Sequence, residues 1–251
     1  MKNTLLIVSL FLFIFSGFAS NAYTEEKILH YHSDIEILPS RKVRVTETIK
    51  VYVGGRIFKH GIFRELPLSY EYKGGNVHVG FELVSVKKNG TIEEYHIKKM
   101  DNGVAIYIGK KEVFLNNDFY TYEIVYVVDE VLLFNEKFDE IYWNVNGNGW
   151  GVRMDSLSAT VYPPKGAKIK QFNGYTGAFG ATDKEFSIKE SGNSITYMFN
   201  GTVDYYENMT VAVGWEKGFV TYPTFWDKLW LWIKTYILYV IGGGGLLANA
   251  L

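Results

Sequence analysis

The feature that most constrains this chain is a two-residue alternation that recurs along it. Val43, Val45, Ile49, Val51 and Val53 alternate with Lys42, Arg44, Thr46, Thr48 and Lys50. Successive side chains of an extended strand point to opposite faces, so this pattern predicts a strand with one buried and one wet face. Upstream, Leu29, Tyr31, Ile35 and Ile37 alternate with His30, His32, Asp34 and Glu36, and Pro39-Ser40 separates the two runs as a turn would. The period returns at Val77, Val79, Phe81 and Leu83, and Asn89-Gly90 is a strong hairpin dipeptide. Residues 119–128 form an unbroken run rich in aromatic and β-branched side chains, as expected of a central strand. Further strands are expected near 140–145, 157–162, 186–189, 194–199 and 209–215. Between residues 25 and 222 no long helical period emerges. The expected fold is all-β: an antiparallel β-sandwich, either one large sandwich or two packed ones cut between Asp129 and Asp139.

The two ends predict where such a domain sits. Residues 1–22 have a charge at Lys2, an apolar stretch from Leu5 to Phe15 broken by Ser9, and Ser20-Asn21-Ala22 as a small-residue cleavage site. That is the pattern of a secretory signal peptide; an uncleaved N-terminal anchor is the rival, but the apolar stretch is short for a span of ~20 residues. At the other end, residues 235–251 carry no charge. Trp226, Trp230 and Trp232 precede them, where an interfacial aromatic belt would lie, with Lys228 and Lys234 placed to snorkel. Residues 226–251 are therefore expected to form an aromatic-flanked transmembrane helix in a chain that continues past Leu251. An interfacial amphipathic helix and an ordinary buried helix are the alternatives. Gly242 to Gly245 count against a regular span. Together the ends place residues 23–222 outside the cytoplasm as an ectodomain, with the lipid bilayer as one partner.

Composition excludes several functions. Lys plus Arg total 26 against 27 for Asp plus Glu, a net charge of −1, so there is no electrostatic footprint for nucleic acid. The chain has no cysteine, which removes disulfides, thiolate metal sites and cysteine nucleophiles. No nucleophile elbow, phosphate-binding loop or zinc-protease motif is present.

A few residues stand out. Glu47 interrupts the apolar stripe of its strand, so alternation points it inward. A buried carboxylate needs a partner, and Arg64 is a candidate for a structural ion pair. Asn144, Asn146 and Asn148, with Asp155 eleven residues after the first, have the polar spacing of a weak calcium loop. The same run reads equally as a turn built from Asn and Gly, which tolerate positive φ. Trp143 and Trp150 flank it, and each could be a core residue or an aromatic contact for a partner. No cofactor is expected.

Four segments taken together resemble a known family: Ser33-Asp34-Ile35, Val45-Thr46-Glu47-Thr48-Ile49, Gly61-Ile62-Phe63-Arg64-Glu65-Leu66-Pro67, and Tyr142-Trp143-Asn144-Val145 through Trp150. In this order they are similar to the N-terminal domain of the predicted membrane proteins of the domain of unknown function 2207 family. The resemblance implies a signal peptide, a β-rich extracytoplasmic domain, a membrane helix and further membrane and cytoplasmic sequence beyond it. It further implies a cysteine pair around residues like 175–180. Here Phe172 and Phe186 stand near those places, so that brace is missing. No activity and no catalytic residue comes with it. The functional expectation is thus a membrane-anchored module that binds a protein or cell-envelope partner, with no catalytic residue to nominate. The alternative is an extracytoplasmic glycan-acting hydrolase drawing a carboxylate pair from Asp34, Glu36, Glu47, Asp139 or Glu140.

Overall fold

The alternation around Glu47 becomes a strand at the centre of a wide sheet. The computed structural model describes residues 25–72, 75–227, 229, 230 and 233. In chain order the strands are β1 (Lys27–Ile37), β2 (Val43–Tyr52), β3 (Ile62–Pro67), β4 (Ser69–Tyr72), β5 (Gly75–His78), β6 (Phe81–Lys88), β7 (Thr91–Ile92), β8 (Tyr95–Met100) and β9 (Gly103–Ile108). They continue with β10 (Phe119–Val128), β11 (Leu132–Phe134), β12 (Asp139–Asn144), β13 (Leu157–Tyr162), β14 (Ile169–Gly177), β15 (Phe186–Ser191), β16 (Ser194–Phe199) and β17 (Asn208–Trp215). The described residues are all-β apart from helical residues at 225–227, 229, 230 and 233.

An eight-stranded sheet runs β15-β16-β13-β1-β2-β10-β6-β7. Residues 119–128 do form a central strand, β10, which pairs with β2 along its whole length and with β6 on its other side. One face of the sheet is buried: Ile35, Val45, Ile49, Ile124 and Tyr126 are fully enclosed. Arg44, Thr46, Thr48 and Lys50 face the other way and meet solvent. Two smaller sheets, β11-β12-β17-β14 and β3-β9-β8, send apolar side chains into the same core, which also takes in residues from both sides of 129–139. The core is therefore continuous across 129–139, the segment where the alternative of two sandwiches would have placed a cut.

Two details differ from the sequence expectation. The large sheet is mixed, because β1 pairs in parallel with β13. Those strands lie far apart in the chain, and local periodicity carries no information about which strands meet. In β1 the inward residue is Ile28 and not Leu29: a register shift between Ile28 and His30 moves the start of the strand by one position. A bulge of this kind re-aims side chains and escapes a strict two-residue count. Similarly, the run 77–83 is broken at Gly80, whose N–H donates to Asp129 Oδ1 at 2.8 Å. A Cβ there would lie 2.1 Å from that oxygen.

The chain leaves the domain through a built joint. Thr221 N–H donates to Pro39 O at 2.9 Å, and the Phe134 and Tyr222 rings sit 5.2 Å apart. Thr224 and Asp227 cap the helical residues reciprocally: Thr224 N–H reaches Asp227 Oδ2 at 2.7 Å and Asp227 N–H reaches Thr224 Oγ1 at 3.2 Å. Arg41 ties this start to the sheet, contacting Asp227 at 3.4 Å and Glu130 at 3.3 Å. Arg41 and Glu130 both hold left-handed backbone, φ 65° and 57°, a conformation non-glycine residues adopt rarely.

Candidate binding site

The segments that stood apart in the sequence converge on one point in the core. Glu47 is fully buried on β2 and lies opposite Ser33 on β1 and Ile124 on β10. Arg64 points inward from β3 between Ile62 and Leu66. Its Nη2 donates to Glu47 Oε1 at 2.8 Å and its Nε to Oε2 at 2.9 Å, a two-pronged contact. Tyr126 Oη donates to the same Oε1 at 2.8 Å. Arg64 then donates onward to Glu65 O at 2.7 Å and to Val145 O at 3.3 Å. The Tyr31 hydroxyl adjoins this group without a hydrogen bond of normal geometry.

Electrostatics follows from this enclosure. Burial works against the Arg64 charge, yet the attraction of Glu47 outweighs it and raises the guanidinium pKa well above its usual range. Burial is also the main reason that the Tyr31 and Tyr126 hydroxyls are held far above the usual tyrosine range. A carboxylate with both oxygens occupied, sealed from solvent, has no route to hand a proton to a substrate. Its chemistry here is to neutralise Arg64.

Glycines make room for the pair. At the start of β3, a Cβ on Gly61 would lie 1.8 Å from Ile108 O, and one on Gly109 would lie 2.0 Å from His60 O. Close approach of the β3 and β9 backbones thus requires bare positions, and it sets Arg64 three residues on. Gly147 has φ +73°, and a Cβ there would lie 2.7 Å from Arg64 Nη1.

The asparagines build the turn that carries Gly147. Asn144 Oδ1 accepts the Gly147 N–H at 2.9 Å, and Asn144 Nδ2 donates to Asn148 Oδ1 at 2.9 Å. Asn146 is fully buried, accepting from Met209 N–H at 3.0 Å and donating to Glu207 O at 2.9 Å. Asp155 faces Lys27 at 2.7 Å. The amide oxygens of Asn144, Asn146 and Asn148 are thus engaged within the protein, and Asp155 Oδ2 turns to Lys27. The two tryptophans divide. Trp150 is core, edge-on to Tyr31 and donating to Asn146 O at 2.9 Å. Trp143 is half-buried and lines a cavity.

That cavity, of about 400 Å³, lies between the small sheets and the end of β10. Its walls are mainly apolar: Leu66, Leu68, Val79, Val128, Val131 and Leu133, with the Tyr70, Tyr142 and Trp143 rings. Arg64 closes one side. A second cavity of about 300 Å³ shares Leu66, Pro67, Asn144 and Gly147 with it and is lined otherwise by Glu65, Met100 and the Asn102 and Asn148 turns. Neither cavity has a local sequence signal, since the walls of the larger come from four distant stretches and those of the smaller from three.

The carboxylates nominated for glycan chemistry do not gather there. Glu47 is held by Arg64, Glu36 by Arg44 at 3.4 Å, and Asp34 accepts from Tyr162 Oη at 3.1 Å. Asp139 accepts from Tyr222 Oη at 2.9 Å, and Glu140 from Gln171 at 2.8 Å. None of the five lines either cavity. Sequence reasoning missed Glu26, a buried carboxylate that accepts backbone N–H bonds from Gly54, Arg56, Ile57 and Phe58 and clamps the loop leading to Gly61. At the C-terminal joint, Trp226 and Trp230 are exposed. Lys228, Trp232 and Lys234 lie outside the described residues, as do residues 1–22. Among the described residues no helix is long and apolar enough to cross a membrane.

The family described as "Predicted membrane protein (DUF2207) N-terminal domain" matches residues 27–219. The chain belongs to this family. The match covers the strands, the Glu47–Arg64 pair and both cavities of this DUF2207 domain. A curated relative, "Uncharacterized protein YciQ" of Escherichia coli (strain K12), is 27% identical over 200 residues, or 78% of this chain. This chain spans 31% of that relative's length. Among solved structures, native yeast LTA4 hydrolase aligns over 77% of this chain and 29% of its own, at 10% identity and TM-score 0.48. The M1 zinc metallopeptidase of Deinococcus radiodurans aligns over 74% and 42%, at 11% and 0.41. Likeness at this level carries nothing about activity.

Proposed function

We propose that residues 23–222 form the extracytoplasmic binding module of a membrane protein, set between a signal peptide at 1–22 and a membrane segment within 226–251. One observation carries the binding role: a preformed apolar cavity of about 400 Å³, a size in the range used by small-ligand sites. The cavity opens to solvent past the exposed Tyr70 and Tyr142 rings, and an occupant would remove its apolar walls from water. The family description as a predicted membrane protein supports the location. Signal-like residues at 1–22 and the uncharged residues 235–251 support it further. The occupant is an apolar group, whether part of a partner protein or of envelope material.

Photo-crosslinking in cells tests the binding role. Benzoylphenylalanine placed at Leu133, in the cavity wall, should yield a covalent adduct on the full chain after irradiation. The same residue placed at Phe179, 88% exposed on a loop, should not. A cavity position that gives no more adduct than Phe179 would remove the binding role.

A further inference from the structure

We propose that the cavity accepts one hydrocarbon chain of a bilayer lipid, drawn from the membrane beside which the module stands. The proposal rests on the binding-module reading and names its ligand. Three observations lead to it. First, the lining offers mainly hydrocarbon and aromatic rings, and its one charged member, Arg64, is already neutralised by Glu47, so no net charge is left for an ionic group; the polar atoms of the wall are few, the unpartnered Trp143 indole N–H among them. Second, the cavity wall and the membrane-side joint are the same piece of chain. Val128, Val131 and Leu133 line the cavity, while Glu130 and Phe134, interleaved with them, hold Arg41 and Tyr222 at the point where the chain leaves the domain. Tyr70, another lining residue, donates its hydroxyl to Glu130 O at 2.9 Å. Third, the chain beyond that joint starts with exposed Phe225, Trp226 and Trp230 and runs into residues 235–251 without a charge. Aromatic side chains of this kind favour the interface between headgroups and hydrocarbon. A cavity fixed at this joint stands beside the source of acyl chains, and filling it with one removes the apolar lining from water. Arg41, left-handed like Glu130, contacts both Glu130 and Asp227 and so ties the cavity wall to the start of the helical residues.

The test uses the full chain reconstituted in vesicles of phosphatidylcholine and phosphatidylglycerol, with a fraction of the phosphatidylcholine carrying a diazirine in its acyl chain. After irradiation, peptide mass spectrometry of the wild-type chain should find label on 128–134 and on 66–70, several-fold above that on the far-edge peptide 186–199. Val131→Trp should reduce cavity label several-fold and leave label on 226–251 unchanged. Leu133→Phe serves as the second filling variant if the first does not fold, and wild-type mapping stands without either. Label confined to 226–251 overturns the lipid proposal. If benzoylphenylalanine at Leu133 then still captures a protein, the binding module survives with a different occupant. If it captures nothing, both readings fall.

Discussion

Glu47 is the residue on which most of the core depends. It is fully buried and its charge is matched by Arg64, with Tyr126 completing the shell. Removing one member of a buried pair leaves the other uncompensated, at a cost of about 3–5 kcal/mol, whereas replacing both with apolar groups is often neutral. Glu47→Gln should therefore lower unfolding free energy by about that amount in urea titration, and Glu47→Leu with Arg64→Met should recover most of the loss. A Glu47→Gln chain as stable as wild type would contradict the account. The interruption of an apolar stripe by Glu47 was legible in the sequence because alternation is local. The identity of its partner was less so: a buried carboxylate required a cation, but Arg64 was one candidate among several. Tyr126 and the turn carbonyl of Val145 were not, because nothing local says that β10 and the 142–150 turn end beside β2.

At the scale of elements, the turn that carries Gly147 has to satisfy two demands at once. Its φ of +73° suits glycine, and a Cβ would press on Arg64 at 2.7 Å. Gly180 has a similar φ of +85° with nothing within 4 Å. Ala at a positive-φ site costs more than about 1 kcal/mol from the backbone alone. Gly180→Ala should show that backbone cost, and Gly147→Ala should exceed it by the displacement of Arg64. Equal losses in the two variants would show that the turn does not support the pair. Strand positions such as 119–128 followed directly from pattern, since a strand's face preference is written in its own residues. The parallel β1–β13 pairing, the bulge at Ile28 and the break at Gly80 depend on neighbours in space, and no period encodes them. The cavity escaped for the same reason, being assembled from 66–70, 79, 128–133 and 142–147.

For the whole molecule, burial of tyrosine sets a limit at high pH. Tyr31 and Tyr126 keep their protons in the folded state well above the usual tyrosine pKa, chiefly because burial disfavours the phenolate, and Tyr122 and Tyr197 are raised for the same reason. In the unfolded chain these groups ionise near pH 10, so their contribution is complete below that pH. Above it the unfolded state binds fewer protons than the folded one, and stability falls as pH rises. The thermal midpoint should hold level with respect to these groups below about pH 9 and drop steeply beyond about pH 10, less so in Tyr126→Phe at the upper end. A midpoint flat to the alkaline limit would show that the tyrosines reach solvent before the chain unfolds. The larger proposal is that this β-rich module stands outside the membrane with an apolar cavity beside its point of attachment. Membrane topology tests that claim most directly. A reporter active only outside the cytoplasm, fused after Tyr222 in one chain and after Leu251 in another, is read together with cell fractionation. The account predicts an active first fusion and a silent second one, both in the membrane fraction; a silent fusion after Tyr222 would contradict it.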